Sequence, residues 1–185
     1  MAKALVPLAN GFEDIEAVAV IDVLRRGGVE VVAAAVGDDL EVRSAHGIRM
    51  RADALLSAVS DGHYDAIVLP GGGEGTEGLK HSEAVHDLLR RQREADGLIC
   101  AICAAPTVLV EAGIVGDETQ MTCYPTCQLE YGREWAPAPV VADGTVITGQ
   151  APGSAVLFAL VVLQHLVGVK TAAKVARGMV TDVLD

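Results

Sequence analysis

The sequence predicts an α/β domain with a doubly wound, mostly parallel sheet, helices on both faces and a small β-hairpin. Three observations lead there. Short runs rich in valine and alanine alternate with segments of helical period. Glycines follow several of those runs, where the chain must turn. Only 3% of the residues are aromatic, so the core must come from Val, Ala, Leu and Ile, which suits buried parallel strands under alanine-rich helices. At 185 residues and 51% hydrophobic content, one domain over residues 1–185 has a sufficient core, and no repeat or linker interrupts it.

Each element has its own signal. Residues 3–9 (KALVPLA) read as a first strand, with Pro7 marking a strand end or kink. Residues 14–28 read as a helix stopped by Gly27 and Gly28, with Ile15, Val18, Ala19 and Asp22 on one face. Residues 29–37 form a valine-rich strand, and 40–53 alternate polar and apolar as a hairpin with Gly47 inside. Residues 65–73 (DAIVLPGGG) are a buried strand entering a glycine turn. Residues 82–96 follow as an amphipathic helix capped by Ser82. Residues 97–102 are another buried strand, and 105–113 a helix ended by Gly113. Residues 139–149 read as two strands about an Asp-Gly turn. An apolar helix over 153–168, capped by Ser154, and a short helix over 170–179 close the chain.

Composition excludes several classes of function. Against 25 acidic residues stand 14 basic ones, a net charge of −11, so no concentrated positive face for nucleic acid is expected. The longest apolar run, 155–168, is broken by Gln164 and His165 and is too short to span a membrane. The N-terminus turns acidic too early for a secretory signal, so a cytoplasmic protein without disulfides is expected. Cys100 and Cys103 form a C-x-x-C, Cys123 and Cys127 a C-x-x-x-C. Zinc is the obvious reading of four such cysteines. It ranks last, because Cys100 lies inside an apolar run, and no metal or cofactor is expected.

In an open α/β sheet, ligands bind beyond the carboxyl ends of the strands. Three segments fall at such ends: 10–16 (NGFEDIE), 70–73 (PGGG) and 103–106 (CAAP). Cys103 sits on a strand-to-helix turn followed by small residues, the arrangement that lifts a nucleophile above a sheet edge. The helix that follows, with Pro106 in its first turn, is expected to lower the thiol pKa. A buried structural cysteine is the alternative. Glu16 lies on the apolar side of its helix, where a carboxyl is costly without a partner; Glu13 and Asp14 read as solvated caps. Glu16 is therefore expected to share a proton with Cys103. The amides of Gly71, Gly72 and Ala104 are expected to form an oxyanion hole. No histidine follows Cys103; among the five, His46 in the hairpin is the candidate visitor to the site.

Taken together, residues 11–28, 65–73, 99–113, 121–126 and 148–160 resemble the ThiJ/PfpI (DJ-one) superfamily, and within it the YajL and Parkinsonism-associated deglycase branch. The resemblance implies a flavodoxin-like fold and a homodimer. It matches Glu16 to the family's protonated glutamate, Cys103 to its reactive, readily oxidised cysteine, and Gly71, Gly72 and Ala104 to its oxyanion pocket. The implied activities are glutathione-independent glyoxalase chemistry, deglycation of glycated proteins and redox-regulated chaperoning. The sequence departs from that pattern twice. At 44–47 it reads SAHG, so His46 replaces an anion-binding arginine, leaving Arg25 and Arg26 as candidates for that role. Tyr124 stands where some relatives carry a histidine and offers a hydroxyl instead; nearby Cys123 is a candidate redox partner. The expected function is attack of Cys103 on a reactive aldehyde such as methylglyoxal, with Glu16 moving protons. The rival is a non-enzymatic sensor or chaperone switched by oxidation of Cys103 to sulfinate.

Overall fold

The computed structural model describes residues 1–129 and 135–181. Nine strands occur among them: β1 (Lys3–Leu8), β2 (Glu30–Ala35), β3 (Glu41–Arg43), β4 (Arg49–Arg51), β5 (Ala54–Leu55), β6 (Ala66–Leu69), β7 (Leu98–Ile102), β8 (Val140–Asp143) and β9 (Val146–Gly149). The helices are α1 (Asp14–Arg26), α2 (Leu56–Val59), α3 (Gly73–Lys80), α4 (Glu83–Glu94), α5 (Pro106–Glu111), α6 (Ala155–Val167) and α7 (Val169–Gly178). Seven strands form one sheet in the order β5-β2-β1-β6-β7-β9-β8, parallel except for the edge strand β8. β3 and β4 pair antiparallel as a separate hairpin.

Alternation along each strand splits the interior into two cores. Ala4, Val6 and Leu8 of β1 face a core closed by Val20 and Leu24 of α1 and Phe158 and Leu163 of α6. Leu5 faces the opposite core, closed by Leu79 of α3, Leu89 of α4 and Leu109 of α5. Helices therefore cover both faces, as the sequence predicts.

Some local expectations need correction. Pro7 does not end β1: it pairs with Ala34 inside the strand. The Lys3 carbonyl accepts the Asp65 amide, so odd-numbered residues of β1 turn their polar backbone groups toward β6. The β6 ladder pairs only Ala4 and Leu5, so a donor missing at Pro7 breaks no rung. The glycine tract is not merely a turn, because α3 begins at Gly73 with Gly72 as its N-terminal flank. Ser82 caps α4 by accepting the Val85 amide, whereas the Ser154 hydroxyl serves the backbone of Ala151 rather than α6. On α1, Ile15 and Val18 are exposed, and the buried stripe is Glu16, Ala17, Val20, Val23 and Leu24.

Candidate active site

β1 leads by way of α1 to β2 on one side, while β6 leads to β7 on the other, so the order of strands across the sheet reverses between the parallel neighbours β1 and β6. Ligands favour such a switch point. The turns after β1, β6 and β7 converge there and carry Glu16, Gly71–Gly72 and Cys103.

Cys103 follows β7 directly and has φ of +65°, in the left-handed region that side chains other than glycine rarely adopt. Two backbone bonds hold it: its amide donates to the Gly149 carbonyl at 3.0 Å, and its carbonyl accepts the Tyr124 amide at 2.7 Å. The residue keeps 8% of its surface accessible, so the thiol is sunk into the sheet edge without being sealed.

Glu16 is fully buried. Its Oε2 accepts the Gly71 amide at 2.8 Å. Its Oε1 is shut off from solvent without a well-aligned hydrogen bond. The remaining polar neighbour of the carboxyl is the Cys103 side chain, with which it interacts directly. Only glycine fits at position 71: a Cβ there would lie 2.8 Å from the Cys103 Cβ and 2.9 Å from Glu16 Oε2. At Gly72, φ is +92° and a Cβ would come 2.2 Å from the Gly11 carbonyl oxygen.

The electrostatics follow from burial. Loss of water pushes the Glu16 carboxyl up to about 7; the Gly71 amide and the Cys103 thiol pull it down, and Glu13 pushes it up. Burial also raises the Cys103 thiol, as do the charge of Glu16 and its hydrogen bond, while the Ala104 and Gly72 amides favour thiolate. This corrects the sequence expectation of a lowered thiol pKa. α5 has six residues, and its dipole does not outweigh burial beside a carboxylate. The carboxylate charge of Glu16 thus opposes ionisation of the Cys103 thiol.

The other sequence candidates divide. Gly72 and Ala104 turn their amides to the sulfur, while the Gly71 amide is committed to Glu16 and is not free for an oxyanion. Tyr124 docks on the elbow through its backbone and exposes 40% of its surface. Arg26 is not at the site. It pairs with Asp22 at the far end of α1, about 15 Å along the helix from Glu16. Arg25 pairs with Asp53 at that same end. His46 reaches the first turn of α1, where its Nδ1 lies 2.8 Å from Asp14 Oδ2.

Glu13 and Asp14 are both buried, not solvated caps. Glu13 caps α1 by accepting the Glu16 amide at 2.8 Å, and its own amide donates to the Gly71 carbonyl at 3.0 Å. The sequence carried no signal for this beyond the helix N-terminus itself. One ligand atom each from Glu13, Asp14 and His46 lies within 4.8 Å of the others, the geometry of a cation site, but protein hydrogen bonds already engage those carboxylates. The cysteines split between the two faces, Cys100 and Cys103 with one core, Cys123 and Cys127 with the other. That division does not gather the four-sulfur set a zinc site needs.

The chain is similar to known proteins over most of its length. The model of the DJ-1/PfpI family matches residues 2–165. Protein dj-1beta of Drosophila melanogaster is 37% identical over 180 residues, 96% of each chain. The glutathione-independent glyoxalase DJR-1.2 of Caenorhabditis elegans is 39% identical over 160 residues, 84% of this chain and 83% of its own. The structure of oxidized Toxoplasma gondii DJ-1 superposes with a TM-score of 0.94 at 36% identity, covering 98% of this chain and 100% of that one. With that family model matched over residues 2–165 and these relatives similar over most of the chain, the chain belongs to the DJ-1/PfpI family.

Proposed function

We propose that this chain is a cysteine-dependent, glutathione-independent glyoxalase acting on small reactive aldehydes such as methylglyoxal. The observation that carries the reading is the fully buried Glu16 carboxyl facing the Cys103 thiol at a strained strand-end turn, with the Gly72 and Ala104 amides on the sulfur. Attack begins from the form in which Glu16 holds the shared proton. Sulfur bonds to the aldehyde carbon, and Glu16 gives its proton to the aldehyde oxygen, leaving a hemithioacetal. The carboxylate then takes the hydrogen from that carbon and returns it to the neighbouring carbon, while the hydroxyl proton moves to the second oxygen. The result is a lactoyl thioester on Cys103, which water cleaves to lactate. Methylglyoxal and water thus balance lactate and a proton. The small opening over Cys103 favours a free aldehyde over a glycated protein side chain. Lactate formed from methylglyoxal without glutathione, and lost in Cys103→Ala and Glu16→Ala, is the expected result; no lactate above a blank from the wild type overturns the reading.

A second reading shares the site. The amides of Gly72 and Ala104 suit the oxygens of a sulfinate, and a protonated Glu16 suits a third contact, which favours a redox-switched sensor or chaperone. Intact mass after graded peroxide is expected to show two oxygens gained on Cys103 alone; equal oxidation of all four cysteines contradicts it.

We further propose a cytoplasmic homodimer. Its contact is the exposed apolar face of Ile15 and Val18 on α1 together with Ile48 beside β4, next to a groove of about 320 Å³ that Val18 and Met50 line.

A further inference from the structure

We infer that Glu13 is a positioning residue of the Cys103 site: gripping the Glu16 amide with its carboxylate and the Gly71 carbonyl with its own amide, it fixes Glu16 against Gly71 and sets it up as an acid. The clamp bears on the thiol whatever the substrate; only its effect on turnover rests on the proposed glyoxalase chemistry.

Three hydrogen bonds close on themselves. The Glu13 amide donates to the Gly71 carbonyl at 3.0 Å. The Gly71 amide donates to Glu16 Oε2 at 2.8 Å. The Glu16 amide donates to Glu13 Oε2 at 2.8 Å. Each residue of the ring gives one amide and accepts one bond, so Gly71 is held at both its amide and its carbonyl. Glu13 is buried, and water competes little for these bonds. The ring also backs the residues around the sulfur. A Cβ at Gly72 would lie 2.8 Å from the Glu13 amide nitrogen, so Glu13 packs against the residue whose amide favours thiolate.

The Glu13 carboxylate contributes charge as well as contacts. Ser, Thr or Asn would cap the same helix while staying neutral. Burial is the main reason that Glu16 is raised to about 7; the charge of Glu13 adds to it, while the Gly71 amide and the Cys103 side chain work against both. The thiol is raised by burial and by Glu16, not by Glu13. Asp14 stands next along the chain, but the Ser44 hydroxyl and the amide and ring of His46 engage its carboxylate. Asp14 and His46, each with an atom within 4.8 Å of the Glu13 carboxylate, and Glu74 of α3, which covers Gly11, are the other titratable groups at this end of α1.

Glu13 makes and breaks no bond. Its charge favours the form in which the remaining proton lies on Glu16 and the sulfur is thiolate, the form from which attack begins.

The test is the rate of Cys103 alkylation by iodoacetamide across pH 5 to 10 in the wild type, Glu13→Gln and Glu13→Asp. Glu13→Gln keeps an oxygen for the Glu16 amide and removes the charge. Its bend is expected at least about 0.5 pH unit below that of the wild type. Its rate above the bend is expected to be at least about threefold lower, because the remaining proton moves from Glu16 to the sulfur. Loosened packing alone would expose the thiol and raise that rate. Glu13→Asp restores the charge on a favoured capping residue, so its profile is expected to lie with the wild type. That variant keeps the test open if Glu13→Gln misfolds. A Glu13→Gln profile superimposable on the wild type, or a Glu13→Asp bend displaced by about 0.5 unit or more, overturns the inference. In Glu13→Gln, kcat for lactate should fall by a similar factor with KM little changed. A wild type that makes no lactate overturns the glyoxalase reading instead, and the alkylation profiles then decide the role of Glu13 alone.

Discussion

At the scale of single residues, Glu16 is the most informative side chain. A carboxyl with no solvent contact is costly when charged, and burial accordingly pushes Glu16 up to about 7 against the pull of its hydrogen bonds. A raised carboxyl pKa favours the folded state below the ordinary value and loses that benefit as pH climbs through the folded value. Lifting Glu16 from 4.5 to about 7 implies a loss of about 3 kcal/mol of stability between those limits. Urea unfolding at pH 5 and pH 8 should show a fall of that order in the wild type and a much smaller one in Glu16→Gln. Equal falls would mean that Glu16 is not protonated by burial. Gly72 makes a separate demand. A methyl group there faces both φ of +92° and the Gly11 carbonyl, so Gly72→Ala should cost more than about 2 kcal/mol in the same measurement.

The residues of the site were legible to different depths. Cys103 and Glu16 stood out because each breaks a local rule: one is a cysteine at a strand-to-helix turn, the other a carboxylate on an apolar helix side. Use of the Gly71 amide was not legible, since a glycine tract does not tell which carbonyl or carboxylate its amides meet. Burial of Glu13 and Asp14 was hidden for a similar reason. Acidic residues at a helix start look alike whether the hairpin covers them or water does. Arg26 was misplaced because adjacency in a motif ignores the length of α1, which puts its two ends at opposite ends of the strands it packs on.

At the scale of elements, alternation of strands and helices located β1, β2, β6, β7 and β9 because buried parallel strands need unbroken branched residues. The hairpin of β8 and β9 was equally clear from its Asp-Gly turn, where Gly144 has φ of +57°. α3 escaped notice: its own Gly73, Gly75 and Gly78 oppose helix formation, and tertiary packing of Thr76 and Leu79 overrides that propensity. Packing of α1 on α6 has a distinct weak point at Gly27. A Cβ there would come 2.2 Å from Leu163 Cδ1. Gly27→Ala should lower stability by about 1–3 kcal/mol, and Leu163→Val in the double variant should return part of it. Additive effects in that cycle would show that the two helices do not meet at this point.

At the scale of the whole molecule, the fold does two things with one sheet. It brings three strand ends together at the switch point, and it leaves an apolar face on α1 and the hairpin uncovered. The first makes the site; the second is the surface we assign to the dimer. Val18→Asp is expected to shift sedimentation from a dimer to a monomer; an unchanged dimer would move the contact elsewhere. Central to the whole account is one proton shared between Glu16 and Cys103. Its most direct measurement is the rate of Cys103 alkylation across pH 5 to 10, in the wild type and in Glu16→Gln. In the wild type the rate should rise with pH, bend near 7 as the pair passes from two protons to one, and then stay level, because the thiolate fraction of a one-proton pair does not depend on pH. In Glu16→Gln the bend near 7 should vanish and the rate should climb steadily, as for a solitary buried thiol. Superimposable profiles for the two proteins would contradict the shared proton.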